Sequence, residues 1–295
     1  MAEGINTTSI TLPESTSDEI WAKTLEQSAV MRLATPIDLP GNGLTIPVIT
    51  GEPAADWVSE TDEKPVSTHT LATKNMKSYT LAVIEPFSNQ FRDNWDALYN
   101  ELANRLPNAL ARKFDQTVFF GTAPGTGFDT LAGVTQTVNV ATKTYDGFVD
   151  ALGKVSAADA NLNGWALSPQ ARTLLLKAKD SNDRPLFVSD VRSEGSVPSV
   201  LGIPATFTKA VYRAAEKSKN PETIGFGGDW TGARYGVVKD ISLSVSDQAT
   251  LSTGGKAINL WQRNMFAVRC EFEVGFIVRD VNDFVRIDNG TTPAA

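Results

Sequence analysis

From Trp95 onward the chain places apolar residues on one side of a helical wheel for about seven turns. Trp95, Leu98, Leu102, Leu106, Leu110 and Phe114 recur at spacings of three and four, and Val118 continues the row. A stripe this long predicts one amphipathic helix over 94–120 that must lie on a broad apolar surface. Pro107 falls inside it, has no amide hydrogen to give, and is expected to kink or break it. The run Gly121-Thr-Ala-Pro-Gly-Thr-Gly127 ends it. That run follows a helix instead of a strand, so it is no dinucleotide fingerprint.

The segments before this helix have a different character. Residues 1 to about 30 are rich in Ser, Thr and Glu, with Ile10/Leu12 and Ile20/Trp21/Leu25 as the only apolar clusters. They read as an arm that needs a partner surface, or as a disordered tail. Leu44, Ile46 and Val48 alternate with other residues, and so do Leu71, Tyr79, Leu81 and Val83. Both runs predict strands. The mostly polar stretch from Gly51 to His69, with Pro53, Trp57 and Pro65, makes them a long hairpin with a wide tip. A two-stranded hairpin is marginal alone in water, so this one is expected to lie on its own domain or on a neighbour.

After residue 144 the pattern turns mixed α/β. Tyr145, Phe148, Val149, Leu152 and Val155 predict a short amphipathic helix. Trp165-Ala-Leu167 reads as a buried strand. Ser168 follows as an N-cap and Pro169 as the first residue of a helix through Leu174, Leu175 and Leu176. Strands are expected at 202–206, 235–238, 241–246, 257–261 and 265–287.

The 295 residues are 41% hydrophobic, enough for one elaborated domain or two smaller ones. The net charge is −7, and no stretch clusters Lys and Arg as tight nucleic-acid binding requires. Met-Ala-Glu-Gly opens no secretory signal, and no apolar run approaches the ~20 residues of a membrane span. The single Cys270 lies in an alternating run and is expected to face a core.

Catalytic chemistry finds little support. His69 is the only histidine, there is no Gly-x-Ser-x-Gly elbow, and one His with one Cys makes a poor metal set. No catalytic, cofactor-binding or metal-binding residue is nominated. Asp280/Asp283 and Glu271/Glu273 are expected to be solvated charges or interface salt bridges. Thr253-Gly-Gly-Lys-Ala257 lacks the first Gly and the following Ser/Thr of a phosphate loop, so it reads as a turn.

The order of these parts, with four local blocks, resembles the major capsid proteins of tailed bacteriophages. The blocks are Ala109-Leu-Ala-Arg-Lys-Phe-Asp-Gln-Thr-Val-Phe-Phe-Gly121; Trp165-Ala-Leu-Ser-Pro169 with Leu174, Lys179-Asp180 and Arg184-Pro-Leu-Phe187; Leu201-Gly-Ile-Pro204; and Gly225-Phe-Gly-Gly-Asp-Trp230. The resemblance covers nearly the whole chain from about residue 40. It implies an α+β, HK97-like fold with an N-terminal arm (1–40) and an extended loop (41–84). A peripheral domain (85–143 and 256–295) would carry the spine helix 94–120, and 144–255 would be the axial domain.

By that resemblance, copies would form the pentamers and hexamers of an icosahedral head shell. Its partners would be further copies, a portal protein, possible decoration proteins, and DNA enclosed without sequence-specific contact. Trp57, Val58, Glu60, Lys64 and His69 at the loop tip would contact a neighbouring subunit. Neither arm nor loop is expected to be satisfied within one copy. Many relatives carry a charged scaffold segment ahead of the arm. Here the hairpin follows Met1 by only about forty residues, so a separate scaffolding protein is expected, or a chain that starts after that segment. Some relatives crosslink through a Lys–Asn isopeptide bond; Lys64, Lys74 or Lys77 would supply the amine, and no Asn or Glu partner matches. The protein is expected in the virion, after assembly in the bacterial cytoplasm.

Two other readings compete. Encapsulins are related bacterial shells that hold cargo enzymes; the polar arm and long loop favour the phage. A carbohydrate-active enzyme would suit an acidic, Trp-containing chain, but it needs two carboxylates across a groove about 5–9.5 Å apart, and no pair marks itself out.

Overall fold

The computed structural model describes residues 14–50, 57–60, 64, 70–90, 95–179, 182, 199–253 and 256–292. Its helices are α1 (Glu14–Gln27), α2 (Ala29–Leu33), α3 (Trp95–Phe120), α4 (Thr144–Ala157) and α5 (Pro169–Lys177). The strands are β1 (Thr35–Asp38), β2 (Leu44–Thr50), β3 (Thr70–Met76), β4 (Tyr79–Ser88), β5 (Thr137–Asn139), β6 (Gly164–Leu167) and β7 (Ser199–Val200). They continue with β8 (Ile203–Phe207), β9 (Thr223–Gly228), β10 (Ala233–Ser246), β11 (Thr250–Thr253), β12 (Lys256–Asn259), β13 (Met265–Val278) and β14 (Phe284–Asp288).

The stripe becomes α3, one helix of 26 residues, and Pro107 does not end it. Proline in a helix interior costs roughly 3 kcal/mol. Burial outweighs that cost: Leu102, Leu106, Leu110, Phe114 and Val118 are each no more than 2% exposed, and burying such a side chain contributes about 1.5–3 kcal/mol. The surface they meet is a four-stranded sheet in the order β1-β10-β13-β4. Along β13, Phe266, Val268, Cys270, Phe272, Val274 and Phe276 alternate into the same core. Cys270 is buried there, and burial with the nearby Glu271 pushes its thiol up to about 12.

The arm finds its partner surface in its own chain. Ile20 and Thr24 of α1 are fully buried, and the Trp21 ring lies 6.0 Å from that of Phe272. The few apolar residues of the arm are spaced to face one way on a helix, and that face meets α3 and β13. The expectation that the arm goes unsatisfied within one copy does not hold for residues 14–34. Residues 1–13 lie outside the described set.

The predicted hairpin is β2–β3, antiparallel in register from Leu44↔Met76 to Thr50↔Thr70. The apolar run beyond it belongs elsewhere. Strand β4 leaves the hairpin and pairs with β13 over Tyr79↔Val274 to Ser88↔Met265. Sequence alternation cannot choose a strand's partner. The break falls at Lys77-Ser78, where the Lys77 amide donates to the Gly127 carbonyl at 2.8 Å. Gly127 adopts φ +83, and a Cβ there would stand 2.8 Å from the Asn75 carbonyl oxygen, so this close approach needs glycine.

The second sheet has six strands in the order β5-β14-β9-β6-β8-β7. Strands β6 and β9 are buried at every position, because both faces are covered. On one side Phe148, Ala151 and Val155 of α4 and Ala171 and Leu175 of α5 pack on Trp165, Leu167, Ile224 and Ile287. On the other, Phe119 from the end of α3 stacks on Phe226 at 5.2 Å and meets Trp230 edge-on at 6.2 Å. The C-terminal region divides: β13 serves the first sheet and β14 the second. Strands β11 and β12 pair as a separate hairpin with Thr253 opposite Lys256, and the turn expected at Gly254-Gly255 lies outside the described residues.

Ser168 caps α5 as expected, its hydroxyl accepting from the Ala171 amide at 3.2 Å, with Pro169 behind it. Ser168→Ala should lower the unfolding free energy by roughly 1 kcal/mol. Chemical denaturation would read it, and a loss below about 0.5 kcal/mol would show that the cap contributes little.

Candidate assembly surface

The hairpin β2–β3 projects from a base built to hold it. Ile46 and Met76 are buried against Leu39 and Ile277. The Lys74 ammonium donates to Asp129 at 3.0 Å and to the Val278 carbonyl at 2.7 Å. The Ser78 hydroxyl donates to Glu273 at 2.6 Å, and the Tyr79 hydroxyl to the Thr126 carbonyl at 2.8 Å. Lys74 is thus held at the base of the hairpin.

At the far end the chemistry changes. Trp57, Val58, Glu60 and Lys64 are all exposed, Trp57 completely. Its ring therefore does not pack on its own hairpin. His69, the fifth tip residue singled out from the sequence, lies outside the described residues. A fully solvated indole beside an exposed valine leaves apolar area in water that a partner surface would remove. Among the described residues, the other large apolar groups left exposed are Ile84, Leu176, Trp261 and, along α4, Tyr145, Val149 and Leu152. Of the five residues in the predicted α4 stripe, only Phe148 and Val155 face inward.

A second feature went unforeseen. Asp115 on α3 is fully buried and reaches the first turn of α2. Its carboxylate accepts from the Ser28 hydroxyl at 2.6 Å, the Ala29 amide at 2.9 Å and the Val30 amide at 3.3 Å. Burial pushes its pKa up to about 7, against those three hydrogen bonds, which favour the charged form. One carboxylate thus fastens the arm to the spine helix. The sequence shows Asp115 only as a polar interruption in an apolar helix.

The expected solvated acids are mostly structural. Asp283 is buried and receives two hydrogen bonds from Arg279, at 2.8 and 3.1 Å, while Arg279 also faces Asp229 at 3.6 Å. Burial raises the Asp283 pKa and Arg279 opposes it. Asp280 caps the turn by accepting from the Asn282 amide. Glu271 pairs with Arg269 at 3.4 Å, and Glu273 takes the Ser78 hydroxyl. Burial of Asp283 beside Arg279 corrects the reading of that residue as a solvated charge, whereas Asp280 is exposed as expected. Among the described residues, no group of three or more His, Cys, Asp or Glu is placed to hold a metal, and no helix is long and apolar enough to cross a membrane.

A long helix on a four-stranded sheet, a projecting hairpin and a six-stranded α/β layer together define the fold of phage head shells. A solved structure from Microbacterium phage Oxtober96 superposes with a TM-score of 0.72 at 22% identity, covering 98% of this chain and 96% of that one. The chain belongs to the phage capsid family, whose model matches residues 8–289. It is 29% identical over 297 residues to the "Probable major capsid protein gp17" of Mycobacterium phage L5, covering 94% of this chain and 88% of that protein. The protein of the same description from Mycobacterium phage D29 is 27% identical over 293 residues, covering 94% and 89%.

Proposed function

We propose that this chain is the major capsid protein of a tailed bacteriophage, whose copies assemble into the shell enclosing the double-stranded DNA genome. The family match across nearly the whole chain carries the reading. The projecting hairpin with a solvated indole at its tip supports it physically. Such a contact is head-to-tail, because the tip and the surface that receives it are different patches of the same molecule, and head-to-tail contacts close only under rotation. Rings of five and six joined this way close into an icosahedral shell. The six-stranded layer, within 144–255, would meet its copies at the ring centres as the axial domain. Residues 85–143 and 256–295 would form the peripheral domain, with 41–84 as the extended loop and 1–40 as the arm. Further copies, a portal and, where one exists, a scaffolding protein are the partners that suit this role, with assembly in the host cytoplasm before the protein resides in the virion. The role is structural and calls for no catalytic residue or cofactor.

A subunit held by many contacts gains by avidity. Concentrated protein, expressed with its scaffold if it has one, should therefore form particles tens of nanometres across, with few species between small oligomers and shells. Electron microscopy and light scattering would read this. Only monomers or a closed dimer at high concentration would remove the capsid reading. Particles filled with a cargo protein instead of DNA, by mass spectrometry, would point to an encapsulin. The family match leaves the carbohydrate-active reading without support.

A further inference from the structure

The chain is net acidic, and no part of its sequence concentrates Lys and Arg. The fold nevertheless gathers three cations around one opening. A cleft of about 720 Å³ lies where the end of α1, helix α2, the middle of α3 and the segment after β8 meet. Arg32, Arg112 and Lys209 line it from three distant stretches of chain, all three exposed. None of them makes an ion pair among the described residues. Among the described side chains, no carboxylate lines the cleft. Asp115, one helical turn from Arg112, is buried and committed to the start of α2.

The remaining polar lining is informative. Gln27, Asn108 and Thr208 accompany the cations. Guanidinium and ammonium groups with amides and hydroxyls are the side chains that contact phosphate and sugar in nucleic-acid complexes. The one aromatic ring in the wall, Phe207, already has the Arg172 guanidinium over it at 6.0 Å. It offers no open platform for a base to stack on. We propose that this cleft binds the phosphodiester backbone of nucleic acid without regard to sequence, engaging up to three phosphates. The proposal goes beyond the shell function, and its test is independent of whether shells form.

Three phosphate contacts on a duplex predict that log K falls with log salt at a slope of about −2.7. The experiment is fluorescence anisotropy of a short labelled duplex of arbitrary sequence with the unassembled full-length chain, between about 50 and 200 mM salt. The expected loss of affinity across that range is about 40-fold. Arg112→Gln should weaken binding roughly tenfold at the low end and shrink the slope by about 0.9. Arg32→Gln and Lys209→Gln should do the same. Arg263→Gln, an exposed cation on the turn before β13, should change neither. Equal binding by wild type and Arg112→Gln, or an equal loss from Arg263→Gln, would overturn the proposal. So would binding of inorganic phosphate with no binding of the duplex. A peptide copying residues 51–64 carries five carboxylates, Glu52, Asp56, Glu60, Asp62 and Glu63, against Lys64. If that peptide occupies the cleft and the duplex does not, the cleft receives a neighbouring copy's loop and the nucleic-acid reading fails. Normal particles from a chain that fails to bind duplex would leave the capsid reading intact.

Discussion

Replacing Trp57 by alanine gives a subunit that folds as before and assembles poorly. The indole is fully exposed at the hairpin tip, so its removal costs the isolated chain almost nothing. In the proposed lattice the same group would be a large rigid anchor, and truncating such anchors costs upwards of ~2 kcal/mol at an interface. In the proposed head-to-tail contact every subunit would both give a tip and receive one, so the loss would be repeated at each contact around a ring. The thermal midpoint of the unassembled mutant should match wild type while the particle yield falls many-fold. Normal yield would show that the hairpin tip is not an anchor.

Asp115→Ala should be the most destabilising single change in the arm–spine contact. It leaves the Ser28 hydroxyl and the Ala29 and Val30 amides without their acceptor in a buried site. Each unsatisfied buried donor costs about 1–3 kcal/mol, partly offset because a buried carboxyl is no longer desolvated. A net loss of roughly 3 kcal/mol would lower the melting temperature by about 5 °C. The pH dependence has a definite sign. The folded pKa, about 7, lies above the ordinary 3.8, so the native state holds this proton more tightly than the unfolded chain. Asp115's contribution to stability is fully present below about pH 4 and is lost as pH rises through about 7. Melting the wild type and Asp115→Ala across that window should show the component in the first and not in the second. Parallel curves would mean that Asp115 does not titrate there.

What could be read from the sequence was local and periodic. The α3 stripe, the Ser168-Pro169 start of α5 and the alternation through Cys270 all express a repeat that the backbone imposes. What could not be read was tertiary choice. Leu71 and Tyr79 look like one continuing strand, yet β3 and β4 take different partners because a two-residue break turns the chain at Lys77-Ser78. Arg32, Arg112 and Lys209 look like scattered surface charges, and only the docking of the arm on the spine helix brings them together. Asp283 looks like its neighbour Asp280, and only its burial beside Arg279 separates them. Of the five tip residues taken from the sequence, four are exposed and His69 falls outside the described chain.

Pro107 gives α3 mechanical character. A helix is a stiff beam because each turn is tied to the next, and this one spans about 39 Å. At Pro107 one tie is missing, since that residue has no hydrogen to give the Ala103 carbonyl. The beam is notched near its middle, and bending concentrates there. From the notch to Phe120 is about 20 Å, so a bend of about ten degrees carries the Phe119 end by about 3 Å. That end is wedged into the six-stranded sheet, while the Leu102–Leu106 end rests on the four-stranded one. A single soft point would therefore let one rigid layer tilt against the other, so that one sequence can take up more than one curvature.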